Sequence, residues 1–210
     1  MAEDLVKAIV DLQEEEALRI TEERLSAGEN PVKVLEDSRS AMEIVGKRFE
    51  NREYFIPELV YSGEILQEIT EIIKPRLTKA AEFKRLGKVV IGTVAGDIHD
   101  IGKNLVAFML DINGFEVYDL GVDVPPEKFV GEIEETQARI VGLSGFLTLA
   151  YESMKETINV IKDAGLRDKV KIMIGGGQIN DEIRKYTGAD AYRPDAVSAV
   201  SLAKEWAGDK

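Results

Sequence analysis

Two rhythms of apolar and polar positions divide the chain. Over the first third, Leu35, Met42, Val45 and Phe49 recur at spacings that put them on one helical face. Asn30-Pro31 marks the start of that helix, a capping amide followed by proline at the first helical position. Gly28 just before it suits the end of a preceding helix. Ile56-Pro57 opens another helix in the same way, with Leu59, Gly63, Leu66, Ile73 and Leu77 as its apolar stripe and Pro75 bending or ending it. Two shorter helices are predicted over Glu3–Leu12 and Glu14–Ala27, the acidic Glu14-Glu15-Glu16 reading as a helix start or a solvated face. The four together read as a helical bundle.

After a short basic stretch, Lys79–Gly87, the rhythm changes. Strands are predicted at Lys88–Val94, Phe115–Asp119, Ile140–Ser144, Val170–Ile174 and Ala189–Tyr192. Helices are predicted near Gly102–Asn113, Pro126–Thr136, Tyr151–Ala164, Asp181–Thr187 and Asp195–Ala207. Such alternation gives a parallel sheet covered on both faces, and five units match a flavodoxin-like order, 2-1-3-4-5. The expected organisation is a helical domain over residues 1–85 and an α/β domain over residues 86–210. In that order the ends of strands one and three meet at the switch point where ligands bind.

Composition narrows the function. The 210 residues include 44% apolar residues and carry a formal net charge of -12. That charge disfavours nucleic acid or an anionic membrane as partner, since both need clustered Lys and Arg. With no cysteine, neither a disulfide nor a thiolate metal site can form. The N-terminal residues lack a basic start and apolar core, and no run of about 18 apolar residues occurs. A cytoplasmic location is expected.

The candidate chemistry lies where strand one should end. Gly96, Asp97, Ile98, His99, Asp100, Ile101 and Gly102 follow Val89–Val94, with the chain's one histidine between two aspartates. A carboxylate beside an imidazole fixes its tautomer and raises its basicity, which serves metal binding or proton transfer. The residues alone leave open a helix-capping loop with an incidental histidine. Strand three should end in Ser144-Gly145-Phe146-Leu147-Thr148, strand four in Gly175-Gly176-Gly177, and Gly121-Val122 follow strand two. Glycines there admit a close ligand and hydroxyls supply donors, though turn chemistry would explain each singly. There is no dinucleotide fingerprint or P-loop. A response regulator would carry paired acids after strand one and a lysine after strand five, where this chain has Thr93-Val94-Ala95-Gly96 and Arg193-Pro194.

Asp97, His99 and Gly102 form an Asp-x-His-x-x-Gly pattern that resembles the signature of cobalamin-binding domains. Met42–Phe49 and Tyr54–Val60 look like the helical cap beside that domain in cobalamin-dependent methionine synthase and in corrinoid proteins of one-carbon methyltransferase systems. The resemblance implies a four-helix cap followed by a flavodoxin-like B12-binding domain. It implies a cobalamin or related corrinoid, as methylcobalamin or hydroxocobalamin, with His99 as lower ligand to cobalt and Asp97 tuning it. Ser144, with Leu147 and Thr148 beside it, would line the channel for the displaced dimethylbenzimidazole tail. Gly175, Gly176, Gly177 and Tyr192 would flank the buried base, and Gly121 and Val122 would touch the corrin edge. Phe49 and Ile56 would shield the upper face, Ile56 standing where leucine is common. One departure is Ala150, at the position of a serine that completes the aspartate–histidine relay in methionine synthase.

The function so implied is a methyl carrier cycling between Co(I) and methyl-Co(III). It would take a methyl group from methanol, a methylamine, a betaine or an aryl methyl ether and pass it to tetrahydrofolate or a thiol. The implied partners are a donor-specific methyltransferase, an acceptor methyltransferase and a reductive activase, with a homodimer also compatible. Two rivals share part of the pattern: a cobalamin-sensing regulatory module and the small subunit of a cobalamin mutase.

Overall fold

A computed structural model describes residues 2–76, 85–177 and 179–208. The chain forms two compact units, Met1–Lys84 and Arg85–Lys210. Leu77 and the stretch 79–84, assigned from sequence to the second long helix and the linker, lie outside the described residues.

The first unit contains α1 (Ala2–Val10), α2 (Glu14–Ser26), α3 (Pro31–Glu50) and α4 (Ile56–Ile73), followed by a 3-10 turn at Lys74–Arg76. Asn30 caps α3 as its residue type demands, its side-chain oxygen accepting from the Val32 N–H at 3.0 Å. Pro75 sits in the 3-10 turn, where the α-helical ladder has already ended. The expected stripes are the buried ones: Leu35, Met42 and Val45 on α3, Leu59, Leu66 and Ile73 on α4. Their core is closed by Leu5 and Ile9 of α1 and Ala17 and Ile20 of α2. One charge is buried with them. Arg24 is 1% exposed and reaches Glu29 at 2.6 Å and Asp37 at 2.5 Å, joining α2 to α3.

The second unit is a five-stranded parallel sheet in the order β2-β1-β3-β4-β5. The strands are β1 (Lys88–Thr93), β2 (Glu116–Asp119), β3 (Ile140–Ser144), β4 (Lys171–Gly175) and β5 (Ala191–Tyr192). Between and after them run α5 (Ile101–Ile112), α6 (Pro126–Thr136), α7 (Ala150–Asp163), α8 (Asp181–Thr187) and α9 (Ala196–Ala207). The central strands are apolar on both faces because helices cover both sides. Phe129 and Ile133 of α6 and Met154, Ile158 and Ile161 of α7 pack with Val90, Val141 and Ile172 in one core. Gly92 in mid-strand has a packing reason: a Cβ there would lie 2.9 Å from the Phe129 ring.

Strand β5 is shorter than expected. Only Ala191 and Tyr192 pair, with Met173 and Ile174, while Asp190 turns its carboxylate to the Ile172 N–H at 2.7 Å. β3, α6 and α8 have the predicted bounds, and the other elements predicted with both bounds differ by a residue or two at their ends.

Candidate functional site

Strands β1, β3 and β4 end level with one another. Thr93 pairs with Ser144 and Ser144 with Gly175. The loops that follow therefore share the carboxyl edge of the sheet, which is where open α/β sheets take ligands.

Asp97 is the hub of these loops and is fully buried. Its Oδ1 accepts from the His99 backbone N–H at 2.9 Å and lies 2.7 Å from His99 Nδ1. Its Oδ2 accepts from the backbone N–H groups of Phe146 at 2.6 Å and Leu147 at 2.9 Å. Burial alone would push this carboxyl up. The N–H groups of Leu147, His99 and Phe146, with the His99 ring, outweigh burial and hold it well below the usual carboxylate range. An ionised carboxylate can only accept, so Nδ1 donates in this contact, and in the neutral imidazole Nε2 is then the nitrogen with the lone pair. No described residue bonds Nε2, and the side chain is 49% exposed.

The capping alternative does not describe what these carboxylates do. Asp100 precedes α5 but makes no side-chain cap bond; it accepts from Asn104 Nδ2 at 3.1 Å instead. Asp97 turns to the imidazole and to the loop after β3.

The loop after β2 is latched to the histidine loop. Asp123 Oδ1 accepts from the Gly96 N–H at 2.7 Å, and the Asp123 N–H donates to Asp97 O at 2.9 Å. Thr93 adds two bonds, its N–H donating to Gly121 O and its hydroxyl to His99 O, each at 3.0 Å. Lys103, on the first turn of α5, is buried and donates to Asn104 Oδ1 at 2.6 Å and Asp119 Oδ2 at 2.5 Å. The other oxygen of Asp119 accepts from the Gly121 N–H at 2.9 Å. So Gly121 and Val122 are held beside Gly96 and Asp97.

Around this polar frame several large apolar side chains are exposed, beside the polar Asp100, Asn104, Asp123 and Thr148. Ile98 is 72% exposed, Ile101 82% and Leu149 74%, with Val122, Phe146 and Leu147 also open to solvent. The Phe146 ring stacks on His99, centroids 4.6 Å apart and planes inclined by 29°. Ser144 and Thr148 make no side-chain hydrogen bond among the described residues. Gly175, Gly176 and Gly177 run along the loop after β3, where the sequence reading gave them room for a ligand. The structure adds a nearer reason: a Cβ on Gly176 would lie 2.6 Å from Gly145 O, and one on Gly177 2.8 Å from Phe146 O. Tyr192 pairs with Ile174, one position short of this run, and also lines a polar cavity of ≈ 430 Å³ with Arg193 and Trp206. Phe49, half-buried, lies in the last turn of α3, and Ile56, 51% exposed, opens α4.

Sequence reasoning missed Thr93, Lys103, Asp119, Asp123 and Phe146. Asp123 carried one readable signal, an acidic residue two positions past a glycine in a turn, and its φ is +52°. Phe146 stands within the stretch after strand three, where the sequence assigns it no role, and Lys103 follows the histidine loop in the same way.

Comparison with known proteins agrees with this arrangement. Models of the B12 binding domain match residues 87–201 and residues 1–74. Trimethylamine corrinoid protein 1 of Methanosarcina acetivorans is 41% identical over 196 residues, covering 92% of this chain and 91% of that protein. The dimethylamine corrinoid protein of Methanosarcina barkeri is 36% identical, covering 98% and 96%. Among solved structures, a cobalamin-binding protein from Desulfitobacterium hafniense matches with TM-score 0.86 at 38% identity over 98% of both chains. The methanol:cobalamin methyltransferase complex of Methanosarcina barkeri matches with TM-score 0.84 at 26% identity, covering 99% of this chain and 79% of that one. The chain belongs to the B12-binding domain family, with an N-terminal helical cap and a flavodoxin-like cobalamin domain, and its cofactor is a cobalt corrinoid.

The residues present fit such a group. Among the described residues no three His, Asp or Glu side chains gather to cage a bare ion. A corrinoid brings its cobalt already ligated within the macrocycle, so a single imidazole such as His99 would suffice to hold it. The exposed apolar side chains suit a flat macrocycle, and the Ser144 hydroxyl at a strand end suits a polar tail.

Proposed function

We propose that the protein is the corrinoid methyl carrier of a cobalamin-dependent methyltransferase system. The observation that carries this reading is the half-exposed His99, its Nδ1 held by a buried ionised Asp97 and its Nε2 bonded by no described residue, beside exposed apolar side chains. When bound, the corrinoid supplies the cobalt that carries the methyl group. His99 would hold the cobalt through Nε2, and Asp97 would fix the ring through its bond to Nδ1. Gly96, Ile98, Asp100, Ile101 and Gly102 shape the loop against the macrocycle, and Gly121 and Val122 meet its edge. Ser144, Leu147, Thr148, Tyr192 and the run Gly175–Gly177 hold the nucleotide tail. Phe49 and Ile56 would supply apolar side chains to keep water from the corrinoid. The cap domain spans residues 1–85 and the cobalamin domain residues 86–210.

The relatives named for trimethylamine and dimethylamine support a methylamine as the donor. The methanol system is the next to test. A donor methyltransferase, an acceptor methyltransferase serving tetrahydrofolate or a thiol, and a reductive activase complete the system; the carrier works only with them, in the cytoplasm. No helix among the described residues is long and apolar enough to cross a membrane.

The test begins with protein reconstituted with hydroxocobalamin, which should hold about one corrinoid per chain through desalting. The single histidine allows labelling with 15N-histidine. Paramagnetic resonance of the Co(II) form should then show doublet splitting from one labelled nitrogen, absent in His99→Ala. Incubation with methylamine- or methanol-specific methyltransferases and their donors should change the cobalt spectrum. Failure to retain corrinoid would overturn the cofactor site; a labelled sample with no doublet would remove His99 from the axial role.

A further inference from the structure

Phe146 touches both members of the Asp97–His99 pair. Its backbone N–H donates to Asp97 Oδ2 at 2.6 Å, and its ring stacks on the imidazole with centroids 4.6 Å apart. Phe146 is 56% exposed as a residue, so the stack is not a by-product of burial in the core. Its backbone is held from the other side too. The Gly177 backbone approaches so closely that a Cβ there would come within 2.8 Å of Phe146 O and 3.3 Å of its Cδ2.

The stack has a geometric consequence. The bond from Nδ1 to Asp97 restrains one edge of the imidazole and leaves a residual rocking of its plane about that bond. A flat aromatic surface against one face removes that freedom. Offset stacking at this separation and inclination is favourable for two aromatic rings. We propose that Phe146 is a positioning residue for His99, which fixes the imidazole plane so that Nε2 is presented to an incoming metal in one orientation. This rests on the reading of His99 as the axial ligand. A ligand pre-set in its bound orientation loses less freedom on binding, so it binds more often.

The lone histidine makes the test direct. In 15N,13C-histidine-labelled protein without corrinoid, the imidazole CH resonances should sit upfield through the ring current of Phe146. They should move downfield in Phe146→Leu and stay in place in Phe146→Tyr. In the Co(II) corrinoid form, the ratio of cobalt with the 15N doublet to cobalt without it should fall roughly twofold to tenfold in Phe146→Leu, the range expected for loss of one aromatic pair. Phe146→Tyr should restore it. Unchanged imidazole shifts in Phe146→Leu would show that no stack exists and overturn the proposal. Moved shifts with an unchanged doublet fraction would reduce the contact to packing and overturn it equally. A doublet absent from every sample, native protein included, overturns the axial-ligand reading and this proposal with it. The apo shifts would still report the stack, so the two failures are distinct.

Discussion

Asp123 reaches back 27 residues to accept the Gly96 N–H at 2.7 Å, tying the loop after β2 to the loop that carries His99. It does so from the left-handed backbone region, at φ +52°, where a non-glycine residue is disfavoured. The strain is offset by two bonds: the carboxylate on Gly96, and the Asp123 N–H on Asp97 O. Two loops that sequence places far apart thereby act as one rigid rim.

Asp123→Gly separates these contributions. Glycine adopts this backbone conformation without strain and loses the carboxylate, so the lost hydrogen bond should lower the unfolding free energy by about 1 kcal/mol in urea titration, less the strain relieved. Corrinoid retained through desalting should fall with it. Asp123→Ala should cost about 1 kcal/mol more, because alanine must also adopt the left-handed region. Equal stability of the two variants would show that the backbone there is unstrained.

Lys103 tests the second brace. Its ammonium is buried between Asp119 and Asn104, and Asp119 is itself a third exposed. Lys103→Met should cost about 1–3 kcal/mol, the penalty of leaving polar groups without their partner. Part of that loss should return in the double variant Lys103→Met, Asp119→Asn, where no unpaired carboxylate remains. Urea denaturation of the four-member cycle reads the coupling.

The cap has its own pH dependence. Hydrogen bonds from the Arg24 guanidinium hold Glu29 below the usual carboxylate range. A carboxylate whose folded pKa is depressed stabilises the fold above its unfolded pKa of about 4.3 and stops doing so as pH falls through the folded value. The urea midpoint should therefore drop between neutral pH and pH about 3, and Glu29→Gln should flatten that part of the profile. An identical profile in the variant would assign the acid sensitivity elsewhere.

Much of the fold is legible in the sequence for a plain physical reason. Buried parallel strands must be apolar on both faces, and their helices on one, so both periods are written in consecutive residues. Asn30-Pro31 and Pro126 mark helix starts by local chemistry alone. Strand β5 is overextended in the reading because pairing with β4, which local sequence does not encode, stops after two residues. His99 and Asp97 were legible because they are two residues apart. Thr93, Asp123, Lys103 and Phe146 were not, because each acts through a contact made by tertiary folding. Phe146 lies 47 positions beyond the ring it stacks on.

Gly176→Ala should be among the costliest single changes near the site. The position has φ +109°, and the added Cβ would meet Gly145 O at 2.6 Å. Strained backbone and a contact with rigid main chain should together destabilise by about 2–4 kcal/mol. Thermal unfolding measures this, and a melting temperature within a degree of the native protein would show that the two loops are not in contact.

That close approach also limits how the pocket could be redesigned. An engineer who wished to remodel the channel for a corrinoid with a different lower base would turn first to its glycines, as blank positions on which to build new contacts. Gly176 and Gly177 are not blank. Each is already spent on seating one loop against another, and any side chain there would push on the segment that carries the Phe146 N–H and with it the carboxylate behind His99. On the proposed reading, altered base preference is to be sought at Ser144, Leu147 and Thr148, whose side chains make no contact among the described residues that holds the frame around the imidazole.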